Sequence, residues 1–236
     1  MSKKCAILQS SYIPWKGYFD LINLVDEFIL YDVVQYTRRD WRNRNKIKTA
    51  QGSQWLTIPV KAKGNYLATI EQIEVENHEW PNSHWGALCT NYARAKHFDD
   101  YFDLFSECYA QATETHLSLV NERFTRMICD ILGIEARITT ARDYRTEGDK
   151  NQRLVNLCKQ VGAEVYYSGP AAKDYLDVDH FEREGLEVVW MDYSGYPEYD
   201  QLFPPFDHFV SIVDLIFNEG SQAPRYMKSF ERCLTR

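Results

Sequence analysis

The sequence predicts an α/β fold in which a parallel-type sheet starts with a βαβ unit and a helical insertion occupies the middle of the chain. Three observations predict this fold. A strand-like run at residues 4–9 is followed by an amphipathic helical stretch and a second strand-like run. A long segment with helical periodicity then spans about residues 80–133. The last third of the 236-residue chain alternates helical and strand-like segments, and parallel strands need such crossover connections.

The first half of the chain carries strand-like apolar runs on either side of one short helical pattern. Strands are predicted at residues 4–9, 27–33, 54–60 and 69–75. Between the first two strands, residues 17–25 place Phe19, Ile22 and Val25 on one helical stripe. The sequence KAKGNY, which separates the last two runs, is typical of a turn. We therefore expect a βαβ unit followed by a strand pair.

The insertion and the last third carry clear signals for helix ends. From Leu117 onward, apolar residues recur every three or four positions, and Gly133 follows as a typical C-cap. Gly162 and Gly220 similarly end two further predicted helices. Those helices are predicted at residues 151–163 and 211–220, strands at 135–141 and 164–169, and a short helix with a strand at 180–193.

Composition bounds the class of protein. No repeat or flexible linker divides the chain, so we expect a single α/β domain over residues 1–236, with a helical insertion at about 80–133. The net charge of −7 argues against general nucleic-acid binding, which depends on a positive surface. No apolar run approaches the roughly 20 residues of a membrane span. Six scattered cysteines without a C-x-x-C pair indicate reduced thiols, a cytoplasmic location and no metal site.

A basic cluster stands out against this acidic background. Between Tyr36 and Ala50 the chain has six basic residues and one acid, Asp40, which gives a local charge of +5. The basic residues are Arg38, Arg39, Arg42, Arg44, Lys46 and Lys48. Because arginine offers a planar fork of donors that matches phosphate or carboxylate, the cluster predicts a site for an anionic ligand.

Neighbouring side chains could complete such a site. The amides of Asn43 and Asn45 can read hydroxyl groups or a base edge, and Trp41 can stack on a base or a sugar. The alternative is a solvated basic loop in which Trp41 packs into the core.

The loop after the first strand is the second part of the predicted site. Ligands of open α/β sheets bind beyond the carboxyl ends of the strands, and a helix that starts there can meet a phosphate. The candidate ligand contacts in and around this loop are Gln9, Tyr12, Trp15, Lys16, Gly17, Tyr18 and Gln35. Ser168 and Gly169 follow another predicted strand and belong to the same edge. The alternative is that the aromatic residues are core and that the proline and glycine only mark a turn.

Four residues are candidates for catalysis. Lys16 and Arg44 could neutralise phosphate or developing negative charge. Asp32 could act as a base or orient Arg38, and His84 is a candidate base for which capping or packing is the competing role. Asp214, which lies among apolar residues, is expected to pair with an arginine of the basic cluster. The sequence contains no G-x-S-x-G, P-loop or G-x-G-x-x-G motif.

Several motifs together resemble the WbqC-like family of bacterial proteins. They are LQSSYIPWKGYFDLI, VDEFILYDVVQY, RRDWRNRNKIK and WLTIPV in the first quarter, and RLVNLCKQVGAEVYYSG, YPEYDQLFPPF and SIVDLIFNEG further on. Ser10 stands where the family commonly has proline, and YPEYDQLF is a loose version of its Tyr-Pro-Gln segment. The resemblance implies an association with O-antigen and other surface-polysaccharide gene clusters. It also implies glycine transfer onto an amino sugar, which has been proposed for some members.

The sequence hypothesis is therefore a cytoplasmic transferase that attaches an amino-acid, glycyl or other small acyl group to a nucleotide-linked amino sugar in surface-polysaccharide biosynthesis. Its expected partners are a sugar nucleotide or other phosphorylated small molecule and an acyl or amino-acid donor. One alternative is a non-catalytic sugar-nucleotide-binding or scaffold protein. Another is an ATP-dependent adenylate-forming ligase, because PWKGY is similar to the phosphate-binding turn of class I nucleotidyltransferases, with Trp15 and Tyr18 at the histidine positions. ATP is the candidate cosubstrate, and the oligomeric state stays open.

Overall fold

The computed structural model describes residues 2–231 and contains a five-stranded, fully parallel sheet. Its strands are β1 (Lys4–Leu8), β2 (Glu27–Leu30), β5 (Arg137–Thr140), β6 (Val165–Ser168) and β7 (Glu187–Trp190). The strand order is β5-β2-β1-β6-β7, and each neighbouring pair is parallel. The chain runs outward from β1 in one direction and then in the other, so the order reverses between β1 and β6. The predicted α/β class with a parallel sheet is confirmed.

The chain begins with the predicted βαβ unit. Helix α1 (Lys16–Asn23) connects β1 to β2, and Ala6 lies opposite Phe28 in the parallel register. Phe19 and Ile22 on α1 are fully buried, as their helical stripe predicts. This connection leaves residues 9–15 as a loop at the carboxyl edge of the sheet.

A two-stranded hairpin stands apart from the main sheet. Strand β3 (Arg44–Thr49) pairs antiparallel with β4 (Gly52–Thr57), so most of the basic cluster lies on or just before a strand. In the second strand of the pair, Leu56 is buried while its neighbours Trp55 and Thr57 are exposed. The hairpin therefore presents one face to the core and one to the solvent.

The strand predicted over residues 69–75 is wrong. The segment forms a short 3-10 turn at Ile70–Gln72, and the Gln72 side chain accepts a hydrogen bond from the Thr69 amide (3.0 Å) at its start. Ile70 and Ile73 are both fully buried although they are three residues apart. That spacing brings both side chains to one side of a tight turn, whereas a strand would point them to opposite faces.

The middle of the chain is helical, as predicted. It contains α2 (Trp80–Tyr92), α3 (Phe98–Ala110) and α4 (Leu117–Leu132). Gly133 ends α4 with φ of +69°, in the left-handed region that favours glycine. These helices share one continuous hydrophobic core with α1 and with the face of β1 and β2 that carries Ala6 and Phe28.

The opposite face of the sheet has a separate core. Of the remaining helices, α5 (Lys150–Gln160) and α6 (Val178–Arg183) pack on this face, whereas α7 (Ile212–Glu219) belongs to the first core. The last helix is α8 (Lys228–Glu231). Val155 and Leu157 of α5 and Phe181 of α6 pack here against Ile7 and Ile29 of the sheet. The sheet thus has helices on both faces, which is the usual arrangement for parallel sheets.

A buried carboxylate fixes the irregular segment 191–210. Asp214 accepts hydrogen bonds from the hydroxyls of Tyr92 (2.7 Å) and Tyr199 (2.6 Å) and from the amide of Gln201 (3.0 Å). The expected pairing of Asp214 with an arginine is therefore wrong, because neutral donors satisfy it. Burial raises the pKa of Asp214, while these donors and the nearby Lys48 charge lower it by less.

We predict that Tyr199→Phe destabilises the fold by roughly 1–3 kcal/mol, because a buried carboxylate loses a donor. The folded pKa of Asp214 already exceeds its unfolded value, so protonation of Asp214 favours the folded state at low pH, and this favourable contribution is lost as pH rises through the folded pKa. Loss of the Tyr199 donor raises that pKa further, so the destabilisation should be larger at pH 7 than at pH 4. Urea unfolding at both pH values measures it. Equal losses in the exposed control Tyr66→Phe would contradict the prediction.

Candidate functional site

A cleft of about 440 Å³ opens between the carboxyl ends of β1 and β6. We call it the aromatic cleft, and its principal lining residues are Trp15, Tyr18, Trp41, Arg42, Asn45, Gly169, Tyr193 and Phe209. It lies where the strand order of the sheet reverses, and open α/β sheets bind ligands at this position. Its volume is in the range of small-molecule sites. The structure thus brings six of the predicted site residues together: Trp15, Tyr18, Trp41, Arg42, Asn45 and Gly169.

The loop that forms one wall of the cleft is strained and tightly held. Ile13 has φ of +35°, which is unfavourable for a β-branched side chain. The Asn45 amide donates to the carbonyl oxygens of Ile13 (2.8 Å) and Tyr12 (3.1 Å), and the Tyr12 amide donates to the Trp41 carbonyl. The hairpin therefore imposes the conformation of the loop after β1. Both hydrogen bonds that the Asn45 amide donates therefore go to the protein backbone.

Trp15 folds back over the start of α1 because residue 17 is glycine. A Cβ atom at Gly17 would lie 2.3 Å from the Trp15 ring. The ring also packs against Tyr193, with ring centres 5.2 Å apart, and against Phe209 at 6.0 Å. These contacts build the apolar part of the cleft. Tyr18 lies beside it and donates its hydroxyl to the Gln9 carbonyl.

Arg42 brings positive charge to the cleft. Its Nη1 donates to the Ser10 carbonyl (2.9 Å), and its Nε lies 3.5 Å from the Asp40 carboxylate. Nε makes no hydrogen bond to the residues that the structure describes. One anchored nitrogen orients the guanidinium and leaves other donors for a ligand.

A ladder of aromatic and basic side chains continues from the cleft along the hairpin. Trp41 is 41% exposed, so it does not pack into the core. The centres of the Trp41 and Trp55 rings are 5.2 Å apart. The Arg44 guanidinium stacks on Trp55 at 4.2 Å, and Lys46 approaches the same ring at 5.4 Å. Arg44 also donates to the Arg39 carbonyl. The ladder offers stacking faces beside cations, which suits a planar or sugar-like anion.

Lys16 does not line the aromatic cleft. Its Nζ donates to the Pro197 carbonyl (3.0 Å) and lies over the rings of Tyr196 (4.9 Å) and Tyr199 (5.4 Å). Burial lowers its pKa to about 8, although the negative charges of Asp20, Asp214 and Glu198 raise it. The segment 191–210 covers this lysine, so contact with a phosphate in the cleft would require the segment to move.

Tyr12 and His84 lie together in the core. The Tyr12 hydroxyl is 2.9 Å from Nδ1 of His84 and 2.7 Å from the Tyr109 hydroxyl. Both side chains are buried, and burial lowers the pKa of His84 to about 4. His84 is therefore a neutral packing residue of α2 here, and we leave it out of the proposed ligand contacts.

Other predicted residues have structural partners or face elsewhere. Asn43 is buried, accepts from Tyr36 and donates to the Ile58 carbonyl. Asp32 is buried and accepts from the Ser10 amide, and burial raises its pKa.

Ser168 is buried at the end of β6. Arg38 is exposed, and Gln9 and Gln35 line a different cleft.

Tyr193 and Phe209 are cleft residues that the sequence reasoning missed. Tyr193 follows β7, and Phe209 lies in the irregular segment before α7. The rule that ligands bind beyond strand ends would have pointed to Tyr193. Phe209 comes to the cleft through tertiary folding alone, and it is 64% exposed.

Two further findings concern metal ions and membranes. Within residues 2–231, no three His, Cys, Asp or Glu side chains come together as a metal-binding group. In the same range, none of the helices has both the length and the apolar character that a membrane span requires. Cys233 lies outside the described residues.

We predict that Gly17→Ala keeps the fold but displaces the Trp15 ring, because the new Cβ would overlap it. The free energy of unfolding should change by no more than about 1 kcal/mol, since alanine favours the helix. A crystal structure of the variant measures the ring position. Gly86→Ala in α2 is the matched control, because open space surrounds that position. A Trp15 ring that keeps its wild-type position in Gly17→Ala would contradict the prediction.

We also predict that wild type gains stability relative to Lys16→Met by roughly 2 kcal/mol between pH 8 and pH 9.5. The folded pKa of Lys16 is about 8, below the usual 10.5, so the unfolded chain binds more protons between these values. Stability from this group therefore rises with pH across that window. Unfolding by urea at several pH values measures the difference. A flat difference would mean that Lys16 is solvated.

Comparison with known proteins places this architecture in a family. A model of the WbqC-like protein family matches residues 9–226. An uncharacterized protein of Mycobacterium tuberculosis (strain ATCC 25618 / H37Rv) is 48% identical over 226 residues, which cover 96% of this chain and 98% of that protein. No solved structure matches the chain. The family match includes the loop after β1, the hairpin and the segment before α7, and the protein belongs to the WbqC-like protein family.

Proposed function

We propose that the protein is a transferase that attaches an amino-acid group or another small acyl group to an amino sugar. A glycyl group is the first candidate. The amino sugar is carried by a nucleotide, and the product enters surface-polysaccharide or O-antigen biosynthesis. The aromatic cleft holds this nucleotide-linked sugar. The family resemblance supports the biosynthetic setting, and the site supports the class of ligand.

The observation that carries the proposal is the combination of aromatic faces and arginine at the switch point of the sheet. A sugar nucleotide has a base, a diphosphate and a sugar, and each needs a different kind of contact. Trp41 and Trp15 offer apolar faces for the base or the sugar, and Arg42 offers donors for the phosphates. Arg44, stacked on Trp55 at the rim, is our second proposed phosphate contact.

The transfer itself makes a defined chemical demand. The sugar amine attacks the carbonyl carbon of the activated acyl group, a C–N bond forms, and the bond to the leaving group breaks. The leaving group takes up the electron pair of the broken bond, and the proton lost by the amine passes to the leaving group or to water. Arg42 can stabilise negative charge on the phosphates or on the leaving group.

A non-catalytic sugar-nucleotide carrier is the second candidate. Among the described residues that line the aromatic cleft, none is a carboxylate, histidine or cysteine. Burial raises the pKa of both Tyr18 and Tyr193, so neither hydroxyl is a ready base at neutral pH. This lining favours binding over proton transfer, and only a turnover measurement separates the two functions.

We predict that Trp41→Ala weakens binding of the preferred nucleotide-linked sugar by roughly tenfold, since one aromatic stacking contact is worth about 1–3 kcal/mol. Trp41 is substantially exposed, so the variant should fold normally. The measurement is isothermal titration with a panel of nucleotide-linked amino sugars, chosen by thermal shift. Tyr66→Ala, an exposed aromatic residue that does not line the aromatic cleft, is the control. No binding by wild type across the panel would refute the occupant that we propose.

Turnover is tested separately with the sugar that binds. The protein, the sugar nucleotide and free glycine with ATP, glycyl-tRNA or an acyl thioester are incubated, and the sugar is analysed by mass spectrometry. A mass increase by one glycyl or acyl group, lost in Arg42→Ala, supports the transferase. Binding without any mass increase supports the carrier. Consumption of ATP would identify the ligase chemistry.

A further inference from the structure

A second cleft of about 570 Å³ lies at the same edge of the sheet but on its opposite face. We call it the cationic cleft, and its polar and aromatic lining residues include Gln9, Tyr31, Gln35, Lys150, Arg153 and Tyr175. Its apolar lining residues include Ile7 of β1 and Leu154 of α5. Leu8 lines both clefts, so they meet at the end of β1.

The charge of this cleft is of one sign. Lys150 and Arg153, in the first turn of α5, line it, and no described lining residue is acidic. The neighbouring Asp149 carboxylate caps the helix and accepts from the Gln152 amide (2.9 Å). Arg153 is anchored through Nε to the Gly148 carbonyl (2.8 Å) and also interacts with the Tyr31 hydroxyl, so its guanidinium is held at the cleft. Two cations without a carboxylate partner among the lining residues favour an anionic ligand.

The other groups suit a ligand larger than a phosphate ion. The Gln9 side chain makes no hydrogen bond to another described residue, and Gln35 uses only its amide nitrogen, on the Tyr66 carbonyl. Both glutamine side chains can therefore form hydrogen bonds with polar groups of a ligand. The Tyr175 ring is 62% exposed at the rim and is free to stack. The volume accommodates a nucleotide-sized molecule.

We propose that the cationic cleft binds a phosphorylated nucleoside, with the phosphates against Lys150 and Arg153 and the ring system near Tyr175. The inference goes beyond the proposed function, because it holds whatever occupies the aromatic cleft. Adenosine phosphates can come from ATP or from the nucleotide end of a coenzyme A thioester, and both sources share this chemistry. Two ligands on either side of Leu8 would meet at the end of β1, as a two-substrate transfer requires.

The test is isothermal titration of the full chain with ADP, ATP, coenzyme A, adenosine and pyrophosphate. Wild type should bind at least one of the three nucleotides more than tenfold tighter than adenosine or pyrophosphate alone. Lys150→Ala and Arg153→Gln should each weaken that binding by roughly tenfold, as expected for a charge-assisted contact. Lys159→Ala is the matched control, because it removes the same charge from the far end of α5, where Lys159 pairs with Glu184.

The outcomes separate this inference from the proposed function. Tighter binding of coenzyme A, or of ATP and ADP, supports the inference and identifies the source of the nucleotide. Equal binding by Lys150→Ala, Arg153→Gln and Lys159→Ala overturns it, as does loss of nucleotide binding in Trp41→Ala, which would move the nucleotide to the aromatic cleft. Sugar-nucleotide binding, measured on the same variants, should depend on Trp41 and not on Lys150. If the wild type binds no sugar nucleotide, only the proposed function is refuted.

Discussion

The site depends on one amide side chain. Asn45, on the first strand of the hairpin, donates to two successive carbonyl groups of the loop after β1 and holds Ile13 at a positive φ. A backbone in this region is unfavourable for isoleucine and persists only where surrounding contacts determine it. Because the Tyr12 amide also donates to the Trp41 carbonyl, hydrogen bonds connect the loop, the hairpin and the aromatic wall. A binding surface gains from such rigidity, since less order must be created on binding.

Desolvation divides the basic cluster into two groups with different roles. Lys48 is buried and donates to the Pro205 carbonyl, close to the Asp214 carboxylate. Lys16, outside the cluster, is similarly enclosed. Arg42 and Arg44 stay at the cleft or its rim, because a guanidinium can stack on a ring and keep donors free. The local excess of positive charge is thus partly structural and partly available to a ligand.

The parallel sheet places two clefts at one edge. Side chains alternate along β1, so Ile7 belongs to the core under α5 while Ala6 belongs to the core under α1. Each face therefore has its own cleft at the carboxyl end, one aromatic and one cationic. The arrangement suits a protein that brings two small molecules together, and the two sets of variants test each cleft by itself.

The sequence by itself determined the βαβ start, the helical insertion, the helix ends at Gly133 and Gly162 and the loop after β1 that lines the candidate site. These features follow from local periodicity, turn chemistry and strand direction. Only the tertiary structure decided which polar residues are free. Tyr12, Asn43 and His84 have the right chemistry for a ligand but are satisfied inside the core. Burial and hydrogen bonding depend on contacts between distant segments, which no local pattern encodes.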